Sequence, residues 1–178
     1  MQTPIVKTLT DPELIKHYKE YVGRVGGVHS FDQIRCTPDR VDRSLELELC
    51  KAFASNPDSI ITSPPQEEDF KGIDVIANGW KIQVKCLTTD YLVLEDCKYR
   101  NGVRIPGRVD NCQADYWLKC KLNDTGIRAE LYIVKDLKEL LNQIRKAGIS
   151  KGMMGQYYIS KGSQGDHYEG AEFYRVSF

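Results

Sequence analysis

Apolar residues alternate with other residues through Ile73–Ala77 and again through Trp80–Cys86, and only Asn78-Gly79 separates the two runs. Alternation with period two marks strands. Asn-Gly between strand-like runs marks a two-residue type I′ turn, whose central residues both need positive φ. Counting outward from that turn sets Ala77 opposite Trp80, Ile76 opposite Lys81, Val75 opposite Ile82 and Asp74 opposite Gln83. Successive side chains point to opposite faces. One face of the hairpin therefore carries Ile73, Val75, Ala77, Trp80, Ile82, Val84 and Cys86 and is expected to face a core. The other carries Asp74, Gln83 and Lys85 together with Ile76 and Leu87. Directly opposed residues have Cβ atoms about 4.5–5.5 Å apart, so the carboxylate, amide and ammonium form one group. Such a group is either solvated surface or a polar pocket in a covered sheet, and Ile76 and Leu87 beside it favour the pocket.

The same pattern predicts the remaining elements. Residues 1–10 read as a loose or strand-like lead-in. Thr10-Asp11-Pro12-Glu13 places a cap, then Pro and Glu in a first turn, and starts a helix that runs to about Val22 and stops in the Gly23–Gly27 region. Residues 24–36 are loop, with His29 and Ser30 read as structural or surface residues. Thr37-Pro38-Asp39 opens a second helix that reaches about Ser55. Its wheel gathers Leu45, Leu49, Cys50, Ala52 and Phe53 on one face, and Glu46 falls inside that face while Glu48 lies at its margin as a solvated residue. A carboxylate within an apolar stripe is costly without a metal or a cation such as arginine beside it. Ser59–Ser63 reads as a short strand, followed by an acidic loop through Asp69. After the hairpin come a strand at Tyr91–Glu95, a basic loop or ragged hairpin over 97–113, and strands at Ala114–Leu122 and Ile127–Val134. An amphipathic helix follows at Asp136–Ala147, with Leu137, Leu140, Leu141 and Ile144 inward, and Ala171–Phe178 reads as a final strand. This order predicts a single mixed α/β domain over 1–178: a central mixed β-sheet flanked by helices, with an N-terminal helical extension over about 1–36 and a Tyr/Gly-rich C-terminal segment over about 148–178.

Composition narrows the function. The 178 residues carry a net charge of zero, which excludes nucleic-acid binding by bulk charge and leaves room for a focused basic patch. Lys98, Arg100, Arg104 and Arg108, with Lys119 and Lys121, are candidates for phosphate contacts or else form a solvated basic surface. Tyr157, Tyr158 and Tyr168 read equally as base contacts and as core or sheet-edge residues. The six cysteines contain no C-x-x-C pair, which points to reduced thiols of an intracellular, cytoplasmic protein and away from zinc. The sequence has no signal peptide, membrane-spanning run or lipidation signal, so no membrane partner is expected.

A helix glutamate, a strand, a hairpin aspartate and then a residue-x-lysine pair resemble the PD-(D/E)XK nuclease superfamily. The matching residues are Glu46, Asp74, Gln83 and Lys85, within roughly residues 41–87, and the strand–strand–helix tail to about 147 fits that fold. Gln83 in the second acidic position resembles the variant found among restriction-type and group I intron homing endonucleases. Pro38-Asp39 and Pro57-Asp58 contain the literal Pro-Asp pair but do not lie on a strand before the Gln-x-Lys. The resemblance implies a restriction-endonuclease-like sheet and a Mg²⁺-dependent cut of duplex DNA, with Mn²⁺ able to substitute. It implies metal ligation by Glu46, Asp74, Gln83 and the main-chain carbonyl of Val84, and orientation of the attacking water by Lys85. Mg²⁺ prefers oxygen ligands and keeps several waters, and Gln83 offers oxygen without charge, so weaker metal binding is expected than with a second acid. Cutting both strands implies a homodimer or higher homo-oligomer. A Holliday-junction resolvase, or a nucleic-acid-binding module with a degenerate site, are the alternative readings.

Overall fold

The Asn78-Gly79 turn takes the two positive φ angles that its sequence demands, 50° and 83°, in the computed structural model. The model describes residues 2–26, 41–65, 71–87, 90–149, 152–154, 157–158, 167–168 and 170–177. Flanking the turn are β3 (Val75–Ala77) and β4 (Trp80–Leu87), paired in the expected register: Ala77 with Trp80, Ile76 with Lys81 and Val75 with Ile82. Before them come β1 (Ile5–Leu9), α1 (Pro12–Gly26), α2 (Val41–Ala54) and β2 (Ile61–Thr62). After them come β5 (Leu92–Arg100), β6 (Val103–Pro106), α3 (Arg108–Asn111), β7 (Tyr116–Asn123), β8 (Gly126–Ile133) and α4 (Val134–Ala147). The chain closes with β9 (Gly152–Met154), β10 (Tyr157–Tyr158), β11 (His167–Tyr168) and β12 (Gly170–Val176).

The strands build a six-stranded mixed sheet, in the order β1-β8-β7-β4-β3-β2, and a four-stranded antiparallel sheet, β6-β5-β12-β9. In the larger sheet β4 and β7 run parallel and the other neighbours antiparallel. A parallel pair cannot be joined by a tight turn, and here the crossover contains β5, β6 and α3. The result is a mixed α/β fold with helices against the central sheet.

Both faces of the central sheet are covered. Val75, Ile82, Val84, Leu118, Cys120, Ile127 and Ala129 pack on Leu14 and Tyr18 of α1 and Leu45, Leu49 and Cys50 of α2. The opposite face packs Trp117 and Tyr132 against Leu137 and Leu141 of α4 and Leu92 and Leu94 of β5. The Asp11 carboxylate caps α1 by accepting the Leu14 N–H at 2.9 Å. Gly148, with φ +66°, ends α4.

Two expectations change. Ile73 belongs to the second core with Trp117, away from Val75, because Gly72 at φ +73° breaks the alternation just before β3. Trp80 stands at the hairpin tip and is 55% exposed. In the N-terminal segment β1 pairs with β8 and α1 packs into the first core. Of the two forms expected for the basic segment, it takes the hairpin, followed by a one-turn helix, because Asn101-Gly102 makes a second turn with φ 51° and 72°. His29, Ser30, Cys36, the Thr37-Pro38-Asp39 helix start and the acidic loop at 66–69 lie outside the described residues, as do the side chains of Tyr157, Tyr158 and Tyr168. Among the described residues no helix is long and apolar enough to cross a membrane.

Candidate active site

β3 begins at Val75 while β4 continues to Leu87, so beyond Ile82 the edge of β4 that faces away from β7 has no strand beside it among the described residues. Asp74 occupies that edge. Its N–H donates to the Ile82 carbonyl at 2.9 Å, just beyond the last regular pair of the hairpin, Val75 with Ile82. Its carboxylate accepts the Val84 N–H at 2.7 Å and a hydrogen bond from Gln83 Nε2. Gln83 Nε2 also lies 3.4 Å from the Val84 carbonyl oxygen. The hairpin thus gathers the Asp74 carboxylate, the Gln83 amide and the Val84 carbonyl.

Gln83 is 2% exposed, and its Oε1 has no hydrogen-bond partner among the described residues. An orphaned buried oxygen costs about 1–3 kcal/mol. Oε1 fits only because residue 72 is glycine, since a Cβ there would stand 2.9 Å from it and 3.4 Å from Cys112 Sγ. The two ends of an amide are assigned from their surroundings. Turning the Gln83 amide over would replace the nitrogen facing Asp74 and Val84 with oxygen. Three oxygens of two chemical kinds, carboxylate and carbonyl, then face one point, which suits Mg²⁺ or Mn²⁺. The residues present fit such an ion.

Two further groups reach this edge from opposite faces. Glu46, half-buried on α2, approaches from the first core. Burial pushes the Cys50 thiol up, and the Glu46 and Asp74 carboxylates push it further, which puts both acids around one thiol. Glu48 turns instead to His17 at 2.8 Å. Lys85 leaves β4 on the Gln83 side, with Nζ 5.7 Å from the Trp117 ring centroid. Burial pulls its ammonium down to about 8 and the Arg108 charge pulls the same way, while Asp74 and Glu46 pull back. The four residues read from the sequence therefore share one electrostatic neighbourhood.

The basic residues disperse. Lys98 sits 3.4 Å from Glu95, and Arg104 donates to Asp96 at 2.9 Å. Lys121 pairs with Asp90, and Arg100 is exposed at the end of β5. Lys119 is a correction: it is buried, with Nζ donating to the Asp90 carbonyl at 2.6 Å and to Glu130 at 3.1 Å. An ammonium closed into such a pair does not reach a phosphate. Arg108 is exposed at the start of α3, beside the site.

Sequence reading missed Gly72, Cys112 and the supports of α3. Gly72 carries a local signal, a glycine just ahead of a strand. Cys112 carries none, since its place depends on the crossover between β4 and β7. Another cluster brings Asp96, Cys97 and Glu172 together. Asp96 there is bound by Arg104 and Arg145, while Glu172 accepts the Tyr99 hydroxyl at 3.1 Å and the Cys97 thiol at 3.5 Å. Those oxygens are already satisfied. No family model, curated protein or solved structure matches this chain.

Proposed function

We propose that this chain is a Mg²⁺-dependent endonuclease of the PD-(D/E)XK type that hydrolyses phosphodiester bonds in duplex DNA, as homing or restriction-type enzymes do. One observation carries the reading: the Asp74 carboxylate, the Gln83 amide and the Val84 carbonyl converge on the open edge of β4, with Lys85 two residues further along the same face.

Bound there, Mg²⁺ would supply Lewis-acid activation and charge neutralisation. Asp74 would hold it through its carboxylate, Gln83 and Val84 would offer neutral oxygens, and Glu46 would supply a second charge directly or through water. Lys85 holds the attacking water and faces the charge that develops on the phosphorus oxygens. The water oxygen bonds to phosphorus as the bond to the leaving oxygen breaks. One water proton passes to solvent, and the leaving oxygen takes a proton from solvent. Arg100 and Arg104, whose side chains reach solvent, are proposed to hold the flanking phosphates, a local footing consistent with zero net charge. A homodimer or higher oligomer acting inside the cell completes the proposal, and the five described cysteines are all free thiols.

Cleavage of supercoiled plasmid with Mg²⁺ or Mn²⁺ tests it. Wild-type protein is expected to nick or linearise the plasmid, and Asp74→Ala and Lys85→Ala protein to lose that activity. Undiminished cutting by either variant removes that residue from the mechanism. The neutral Gln83, whose Oε1 points away from Asp74, favours a second reading, a nucleic-acid-binding module without catalysis. Calorimetry separates the two: saturable Mg²⁺ binding that vanishes in Asp74→Asn protein supports the enzyme.

A further inference from the structure

Trp80 is 55% exposed at the hairpin tip, and the cleavage chemistry above does not use it. It stands at the end of the central sheet where β4 and β7 begin and β8 passes into α4. A cavity of about 430 Å³ opens there, and its walls include Trp80, Cys112, Asp115, Tyr116, Lys135 and Lys138. Small-ligand sites commonly hold about 300–1,000 Å³. None of Glu46, Asp74, Gln83 or Lys85 lines it.

The lining combines three kinds of chemistry. Trp80 and Tyr116 form an edge-on pair, with ring centroids 5.5 Å apart and planes at 80°. Whichever ring supplies the edge, Tyr116 leaves at least one face of the indole uncovered, and an uncovered indole face is a stacking platform. Asp115 is pinned beside the pair. Its N–H donates to the Lys81 carbonyl at 2.8 Å, its carbonyl accepts the Val134 N–H at 3.0 Å, and its Oδ2 accepts the Lys81 N–H at 2.9 Å. Its Oδ1 has no hydrogen bond among the described residues and is left to accept one. Lys138 spends one of its three donors on the Cys112 carbonyl at 2.8 Å, which ties α4 to the cavity wall. Lys135 is exposed and makes no ion pair or hydrogen bond among the described residues. Two lysines against one aspartate leave the lining cationic.

A flat ring, an N–H donor and an anion complement these walls, and a nucleotide offers all three. The geometry points to a binding site for a nucleotide whose base carries an exocyclic amino group. The base stacks on Trp80, its amino group donates to Asp115, and its phosphate is held by Lys135 and Lys138. Cytosine presents that amino group, whereas thymine presents a carbonyl oxygen in its place, which a carboxylate repels. The site lies apart from the metal ligands and does not rest on the endonuclease reading. The nucleotide comes either free from solution or as an unpaired member of a strand.

Calorimetric titration in EDTA provides the test, with deoxycytidine monophosphate, thymidine monophosphate, the nucleoside deoxycytidine and a short oligodeoxycytidylate as probes. Wild-type protein is expected to bind deoxycytidine monophosphate saturably, and Trp80→Ala protein to bind it about tenfold more weakly, the scale of one lost stacking contact. Thymidine monophosphate should bind wild type about tenfold more weakly than the cytidine nucleotide. Asp115→Asn protein should lose that preference, because an amide can donate to the thymine oxygen. Lys135→Ala should weaken nucleotide binding about fivefold, the upper range for an exposed charge pair, and leave nucleoside binding unchanged. Trp80 and Lys135 are exposed, so the unfolding midpoints of their variants should match wild type. Tighter binding of the oligonucleotide than of the mononucleotide identifies a strand as the source, and equal binding identifies the free nucleotide. Absence of saturable binding by both, or undiminished binding by Trp80→Ala protein, overturns the site. The titration involves neither metal nor cleavage, so its outcome is separate from that of the plasmid assay.

Discussion

Gln83 is where a single side chain decides the character of the site. An acid in its place would set two carboxylates against each other, because its amide already touches Asp74 in a buried position. Without a cation that pair is strained, and with one it binds more tightly. Gln83→Glu protein is therefore expected to lose about 3 kcal/mol of stability in EDTA, the scale of an uncompensated buried charge. It should regain that loss in Mg²⁺ and bind Mg²⁺ about tenfold more tightly than wild type. Unfolding curves with and without the metal, and calorimetry, measure both effects. Asp74, Gln83 and Lys85 were legible in the sequence because one turn sets their register and local counting needs no tertiary knowledge. Glu46 was legible because an acid interrupts an apolar helix stripe. The orphaned state of Gln83 Oε1 was not, since it depends on the absent side chain of Gly72 and on Cys112 arriving from the crossover.

At the level of elements, α3 depends on the chain passing close over β5. Gly107 has an ordinary φ of −72°, so its backbone angles do not require glycine. Space does: a Cβ there would stand 2.1 Å from the Glu95 carbonyl oxygen and 2.6 Å from the Glu95 carbonyl carbon. Gly107→Ala should lower stability by about 3 kcal/mol, the upper range for overpacking. Urea unfolding with an unchanged slope would show the stability loss, and a midpoint equal to wild type would contradict the close crossing. The helices and strands outside this region follow the sequence well, as Asp11, Gly148 and the apolar faces of α2 and α4 illustrate. The β5–β6 hairpin was legible in principle, through Asn101-Gly102, but its flanking residues are Arg100 and Val103 and its strands carry charge on positions that pair inside the fold. Hydrophobic alternation is weak there, so the turn signal stands without the pattern that usually accompanies it.

Across the whole molecule, Glu130 ties the middle of the central sheet together. Burial alone would raise its carboxyl, yet hydrogen bonds from Tyr132, Arg128 and Lys119 hold it below the usual 4.5. Its stabilising contribution is therefore complete above that value and is lost as pH falls through the lower folded value. Glu130→Gln protein should be less stable near neutral pH and lose less on acidification below about pH 4.5. Thermal unfolding across that range checks this, and parallel acid limbs in the two proteins would contradict it. The acid-sensitive joint lies between β7 and β8, one strand away from the Asp74 edge on β4.

Gly72 links two positions that look independent along the chain. Its left-handed φ already excludes most residues, and the Gln83 oxygen fills the space that a side chain there would need. A larger residue at 72 must push aside the end of the Gln83 side chain, the group that touches Asp74. A substitution at 72 is therefore felt at the site itself, through a side chain eleven residues further along the chain.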